Sequence, residues 1–169
     1  LYAKSKRKAE IELLHFSKKT TMKISIVRPA LVYGPNVKGN LFTLKSLIQK
    51  PWFPPLPDFK NKLSMIHIED LVNAIFFIAN DNRTKGQIYI ATDGQTYSTR
   101  QLYEAIMASY NKPVPSWSMP KCVFTLLSKI SYGFMPKLDK LRSNECYSSD
   151  KIRKLGFTTK HTIWDKNVW

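Results

Sequence analysis

The sequence predicts an α/β domain, and three observations carry that expectation. Short apolar runs of strand length alternate along the chain with segments of helical spacing, the pattern that builds a sheet layered with helices. The 169 residues, 43% hydrophobic and 12% aromatic, suffice for one buried core and leave no room for several tandem modules. No apolar stretch approaches the roughly 20 uninterrupted residues of a membrane span, because Lys, Asn or Ser breaks each one.

The first element is a helix over LYAKSKRKAEIELLHF, with Ala3, Ala9, Leu13 and Phe16 available for one face. It begins at Leu1 with no cap before it, so the chain reads as a piece cut from a longer protein. MKISIVRPALVYGP follows as one buried strand, rich in the β-branched Ile24, Ile26 and Val27 and ended by Gly34 and Pro35. In GNLFTLKSLIQK, Leu41, Leu44, Leu47 and Ile48 recur at helical spacing. Pro51, Pro54, Pro55 and Pro57 then impose a loop that is neither helix nor central strand.

LSMIHI predicts a strand and EDLVNAIFFIAN a helix, whose first turn holds Glu69 and Asp70 where the macrodipole favours acids. QIYIATDG predicts another strand, and STRQLYEAIMASY a helix capped by Ser98 or Thr99. A further helix spans MPKCVFTLLSKISYGF, with Pro120 near its start and Gly133 near its end. ECYSSDKIRKLGF reads as a strand running into a short helix closed by Gly156.

Lys and Arg number 27 against 12 Asp and Glu, a net charge of +15, which favours polyanionic partners: nucleic acid, acidic lipid or phosphorylated small molecules. The basic residues are scattered from Lys4 to Lys166, so charge alone does not choose among these, and a solvated lysine-rich surface explains it as well. Cys122 and Cys146 make no disulfide framework, and a reducing cytoplasmic setting is expected. His67 reads as a hydrogen-bonded core residue, and neither His15 nor His161 has a metal-ligating neighbour in sequence, so no metal site is expected.

Tyr2 and Lys6 stand four apart and so share a helix face, where an ammonium beside a phenol stabilises phenolate and prepares a general acid. The pair is followed, in order, by VRPALVYGP at 27–35, GNLFTL at 39–44, SMIHIEDLVNAI at 64–75 and SSDKIRKLGF at 148–157. With Tyr2 and Lys6 as YxxxK, this series resembles the extended short-chain dehydrogenase/reductase family, the NAD-dependent epimerases and dehydratases of nucleotide sugars. The likeness covers nearly the whole chain. Within the family, the proline loop and the tail look most like bacterial reductases and epimerases of UDP-linked sugars.

The resemblance implies the C-terminal part of a Rossmann-type doubly wound sheet over residues 1–35, joined to a small α/β substrate-binding region over about 36–169. It implies NAD or NADP as cofactor and a UDP-sugar as substrate, in surface polysaccharide synthesis. Tyr2 becomes the proton donor or acceptor and Lys6 the ligand of the nicotinamide ribose, with Pro29, Ala30 and Leu31 lining the nicotinamide. Leu31 stands where galactose epimerases commonly carry Asn, which points away from that subfamily.

For the substrate, Asn40 and Leu41 match the helix start that meets the diphosphate, a position a plain helix cap would also explain. Trp52 and Phe53 match the segment that embraces uracil, with a packed surface loop as the alternative. Lys62 replaces, as a point charge, the arginine that many relatives carry at the position of Leu63. Lys140 and Arg142 match a second basic phosphate contact. The dinucleotide fingerprint belongs to the family's N-terminal half and is not found in this sequence, so the chain is expected to be inactive alone. The resemblance implies a homodimer when full length, and the excess of positive charge allows peripheral contact with an anionic membrane face. A basic module for nucleic acid or an acidic partner, and an inert family remnant, are the competing readings.

Overall fold

Basic residues close the first helix, α1 (Tyr2–Lys19), where Lys18 and Lys19 meet the negative end of its dipole. The computed structural model describes residues 2–130 and 140–169, without the side chains of Tyr2, residues 127–130 and Lys140. The stretch expected as one strand is two. β1 (Ile26–Pro29) and β2 (Leu31–Tyr33) belong to different sheets. Pro29 has no N–H to continue a ladder, and Ala30 spends its own on the Ala91 carbonyl at 3.0 Å before the chain crosses over.

β1 pairs in parallel with β4 (Ile88–Ala91), Arg28 lying opposite Ile90. β2 pairs in parallel with β3 (Leu63–His67), which is antiparallel on its other side to β5 (Thr96–Tyr97). Apolar residues at helical spacing give α2 (Gly39–Ile48) and α4 (Thr99–Ser109), whose Leu41, Leu44, Leu102 and Ile106 fill the larger core with β2 and β3. Ser98 caps α4 in a reciprocal box with Gln101, settling the choice between Ser98 and Thr99.

His67 ends β3 and accepts the Glu69 N–H at 3.4 Å, so α3 (Ile68–Asn80) starts without an intervening loop. Gly34 makes this junction possible. Its φ is 146°, and a Cβ there would lie 2.7 Å from Ile68 Cγ2. Ala74 and Ile78 of α3 join Tyr89, Ala91 and Ile152 in a second, smaller core.

α5 (Lys121–Ile130) follows the buried Pro55–Pro57 stretch, to which Met119 N–H is tied through the Pro55 carbonyl at 3.1 Å. The expected end of that helix at Gly133 lies outside the described residues. The expected strand at 145 is a single parallel bridge between Leu63 and Glu145, after which α6 (Asp150–Arg153) closes at Gly156, where φ is 105°. Among the described residues no helix is long and apolar enough to cross a membrane.

Candidate functional site

The chain turns between two parallel pairs at Pro29–Leu31, the place where an open α/β sheet leaves a crevice. A cavity of about 410 Å³ opens there, lined by Arg28, Pro29, Ala30, Leu31, Ile90, Glu145 and Tyr147. Pro29, Ala30, Leu31 and Ile90 make part of that lining apolar, while Arg28, Glu145 and Tyr147 bring polar groups to it.

An ion pair ties α1 to β1 beside this turn. Glu10 accepts from Arg28 Nε at 2.9 Å and from its Nη2, and the guanidinium holds the Glu10 carboxyl below its ordinary range. Tyr2, Lys6 and Glu10 follow one another at four-residue steps on α1, so the position of Glu10 at the Arg28 end of β1 sets the line along which the other two lie. Lys6 is exposed on that helix; the side chain of Tyr2 lies outside the described residues.

The substrate-side residues divide. Asn40 is half-buried in the first turn of α2, whose capping residue, Lys38, makes no side-chain bond. The Leu41 side chain is 1% exposed and packs in the larger core, as its helical spacing with Leu44 marks it, so what Leu41 has to offer a diphosphate is its main-chain N–H in that same first turn. Trp52 is 62% exposed and meets Phe53 edge-on at 6.2 Å, while Phe53 packs against the core. The proline loop thus presents one exposed aromatic side chain and one anchored in the core.

Arg142 is brought onto this loop. Its guanidinium lies over the Phe59 ring at 4.6 Å and the Phe124 ring at 5.6 Å, and the preceding Leu141 carbonyl accepts from Asn61 Nδ2 at 2.8 Å. Lys62 is exposed next to Asn61, with its N–H bound to Asn144 Oδ1 at 2.9 Å. Lys140 begins a single 3₁₀ turn with Leu141 and Arg142; its side chain lies outside the described residues.

Sequence reasoning missed Glu145 and Tyr147 as cavity residues, because they reach it through a bridge to Leu63 more than 80 residues earlier. It also missed a second cluster. His161, expected to have no ligating neighbour, brings a ring nitrogen within 4.8 Å of ligand atoms of His67 and Glu69, and its ring lies tilted by 37° against that of His67 with centroids 4.3 Å apart. The fold closes a gap of more than 90 residues by turning the last segment back onto the start of α3. Asp70, buried there, accepts the Lys160 N–H at 3.1 Å and the His161 N–H at 2.9 Å. Burial, then the neighbouring His161, lowers the His67 pKa, so its ring is held neutral as the cap of α3. This cluster anchors the chain's end.

The profile of the NAD dependent epimerase/dehydratase family matches residues 1–91 of the 169. The chain belongs to that family. It is 30% identical over 141 residues to a UDP-glucose 4-epimerase of Vibrio cholerae, covering 83% of this chain and 43% of that protein. It is 25% identical over 175 residues to the N-acetyl-alpha-D-glucosaminyl-diphospho-ditrans,octacis-undecaprenol 4-epimerase of Escherichia coli O157:H7, covering 96% of this chain and 53% of that protein. The chain spans about half the length of these curated relatives.

Among solved structures, a UDP-glucose 4-epimerase of Thermotoga maritima superposes with a TM-score of 0.67 at 16% identity, over 96% of this chain and 49% of that one. The fold is therefore that of half of a Rossmann-type family member. Leu31 points away from galactose-type epimerases, yet a UDP-glucose 4-epimerase is among the relatives of this family member.

Proposed function

We propose that this chain is the proton-transfer and sugar-binding half of an NAD(P)-dependent epimerase or reductase acting on a UDP-linked hexose of surface polysaccharide. The observation that carries the reading is the ion pair of Glu10 with Arg28, which sets the YxxxK helix beside the cavity at Pro29–Leu31. Pro29, Ala30, Leu31 and Ile90 line that cavity with apolar surface suited to a nicotinamide ring. Bound there, the dinucleotide supplies hydride exchange at the sugar carbon.

The chain's own residues do the rest. Tyr2 exchanges a proton with the oxygen on that carbon, and Lys6, one helical turn on, favours the phenolate form and holds the nicotinamide ribose. Asn40 faces the diphosphate from the first turn of α2, where unpaired N–H groups favour an anion. Trp52 and Phe53 cover the base, and Lys62, Lys140 and Arg142 supply positive charge around the phosphates. The net charge of +15 raises the local concentration of an anionic substrate.

The test is Tyr2→Phe in the protein that joins this chain to its dinucleotide-binding half. Turnover of a UDP-hexose is expected to fall by on the order of 100-fold or more, with its affinity kept, because only the proton-transfer group is lost. Undiminished turnover would overturn the assignment.

A further inference from the structure

The cavity at Pro29–Leu31 has a wall that this proton transfer leaves idle. Glu145 and Tyr147 form it, and both are held by their main chain to β3. Glu145 N–H donates to the Lys62 carbonyl and its carbonyl accepts from Ser64 N–H, each at 2.8 Å. Tyr147 N–H donates to Ser64 Oγ at 2.9 Å, and that buried hydroxyl donates to the Tyr147 carbonyl at 3.2 Å. In such an extended segment residues two apart point the same way, which brings both side chains to the cavity while Cys146 turns back to the Lys62 carbonyl. Ser143 Oγ, at 3.3 Å, donates to Glu145 Oε1 and steadies the carboxylate.

Among the described residues Arg28 is the one cation lining this cavity, and its guanidinium is engaged by both oxygens of Glu10. It therefore does not cancel Glu145. The cavity's free charge is negative, inside a chain whose overall charge is strongly positive. Long-range attraction thus serves the diphosphate, and the sugar end meets a carboxylate.

We infer that Glu145 is a specificity-determining residue that admits uncharged hexoses and turns away hexuronates. The inference rests on the proposed sugar-nucleotide chemistry. A carboxylate accepts hydrogen bonds from hydroxyl or amide N–H groups of a neutral sugar, whereas a second carboxylate on the sugar brings like charge into a partly enclosed space. Discrimination is then exerted by repulsion of the wrong ligand as much as by attraction of the right one. The Tyr147 ring beside it gives the apolar face of the pyranose a surface to lie on.

The experiment compares kcat/KM for UDP-glucose, UDP-N-acetylglucosamine and UDP-glucuronate in the complete enzyme and in Glu145→Gln. The wild type is expected to prefer the two neutral sugars by at least about 10-fold. Glu145→Gln keeps shape and fold, as an unchanged melting temperature would show. It should raise the UDP-glucuronate value by about 10-fold and cut the UDP-glucose value only a few-fold. A wild type that uses UDP-glucuronate equally well, or a variant with the same preference as the wild type, overturns the role of Glu145 and leaves the proposed function standing. A wild type that turns over none of the three overturns the role of Glu145, and one that turns over no UDP-hexose or UDP-4-ketohexose overturns both.

Discussion

The two cores of this chain differ in how completely they cover themselves. Around β2, β3 and β5, α2 and α4 close over a set of large side chains, and Leu44, Leu102 and Ile106 are fully buried. Around β1 and β4, α3 buries Ala74 and Ile78 inward but turns Ile68, Val72, Ile75 and Phe76 outward, Phe76 being 72% exposed. Those outward residues recur at i, i+4, i+7 and i+8, one continuous apolar stripe, so α3 is apolar on two faces. The proposed substrate side is a core in its own right. The sheet side leaves one apolar helix face uncovered, the face that the proposed joining to a dinucleotide-binding half would cover.

Leu102→Ala breaks the self-contained core directly. With Leu102 wholly buried, the substitution should cost about 2–5 kcal/mol in a urea melt, the range for a large side chain removed from a packed interior. A loss below about 1 kcal/mol would show that this core is loosely packed and that the contrast between the two regions is overstated.

Asp70→Asn tests the clasp that holds the chain's end onto α3. An amide N–H₂ would replace one of the oxygens that accept from Lys160 and His161, leaving a buried donor facing donors. A loss of about 1–3 kcal/mol is expected, with faster proteolysis of the segment after Gly156.

Titration separates the regions further. Burial raises the Asp93 pKa to about 6, against partial relief from the 2.7 Å bond donated by Tyr97. A carboxyl whose folded pKa is raised holds its proton longer in the native state, so its contribution is full below about pH 4 and is lost as pH rises to about 6. His67 has the opposite slope: its lowered pKa means stability present above about pH 6.5 and lost as pH falls below it. Asp93→Asn should therefore cost more at pH 4 than at pH 7. An equal cost at both would mean that the Asp93 carboxyl is not buried in the manner described.

Much of this architecture can be read locally. The Ser98 and Gln101 box, the acidic first turn of α3 and the spacing of Leu41, Leu44 and Leu47 each lie within one turn or two, and each specifies its helix. What could not be read is set by pairing at a distance. VRPALVYGP has the composition of one strand, and it is the partners of Arg28 and Val32, Ile90 in one sheet and Ile66 in the other, that divide it. β5 is two residues long, too short for a periodic signal. Within the candidate site the turn at Pro29–Leu31 followed from family likeness, while Glu145 reached the cavity through a bridge to Leu63 that nothing near Glu145 announces.

The smallest expected effect is the most informative about the sheet side. Phe76→Gln removes the most exposed large side chain of α3 from a position that touches no core, so stability should stay within about 0.5 kcal/mol of wild type. An exposed apolar stripe invites association, and replacing its centre with an amide should lower self-association of this chain in sedimentation runs. In the complete enzyme the same substitution should instead cost about 2–4 kcal/mol, because there the stripe would face the rest of the parallel sheet. An equally small effect in both settings would mean that α3 keeps this face to solvent throughout, and the sheet side would then be as self-sufficient as the substrate side.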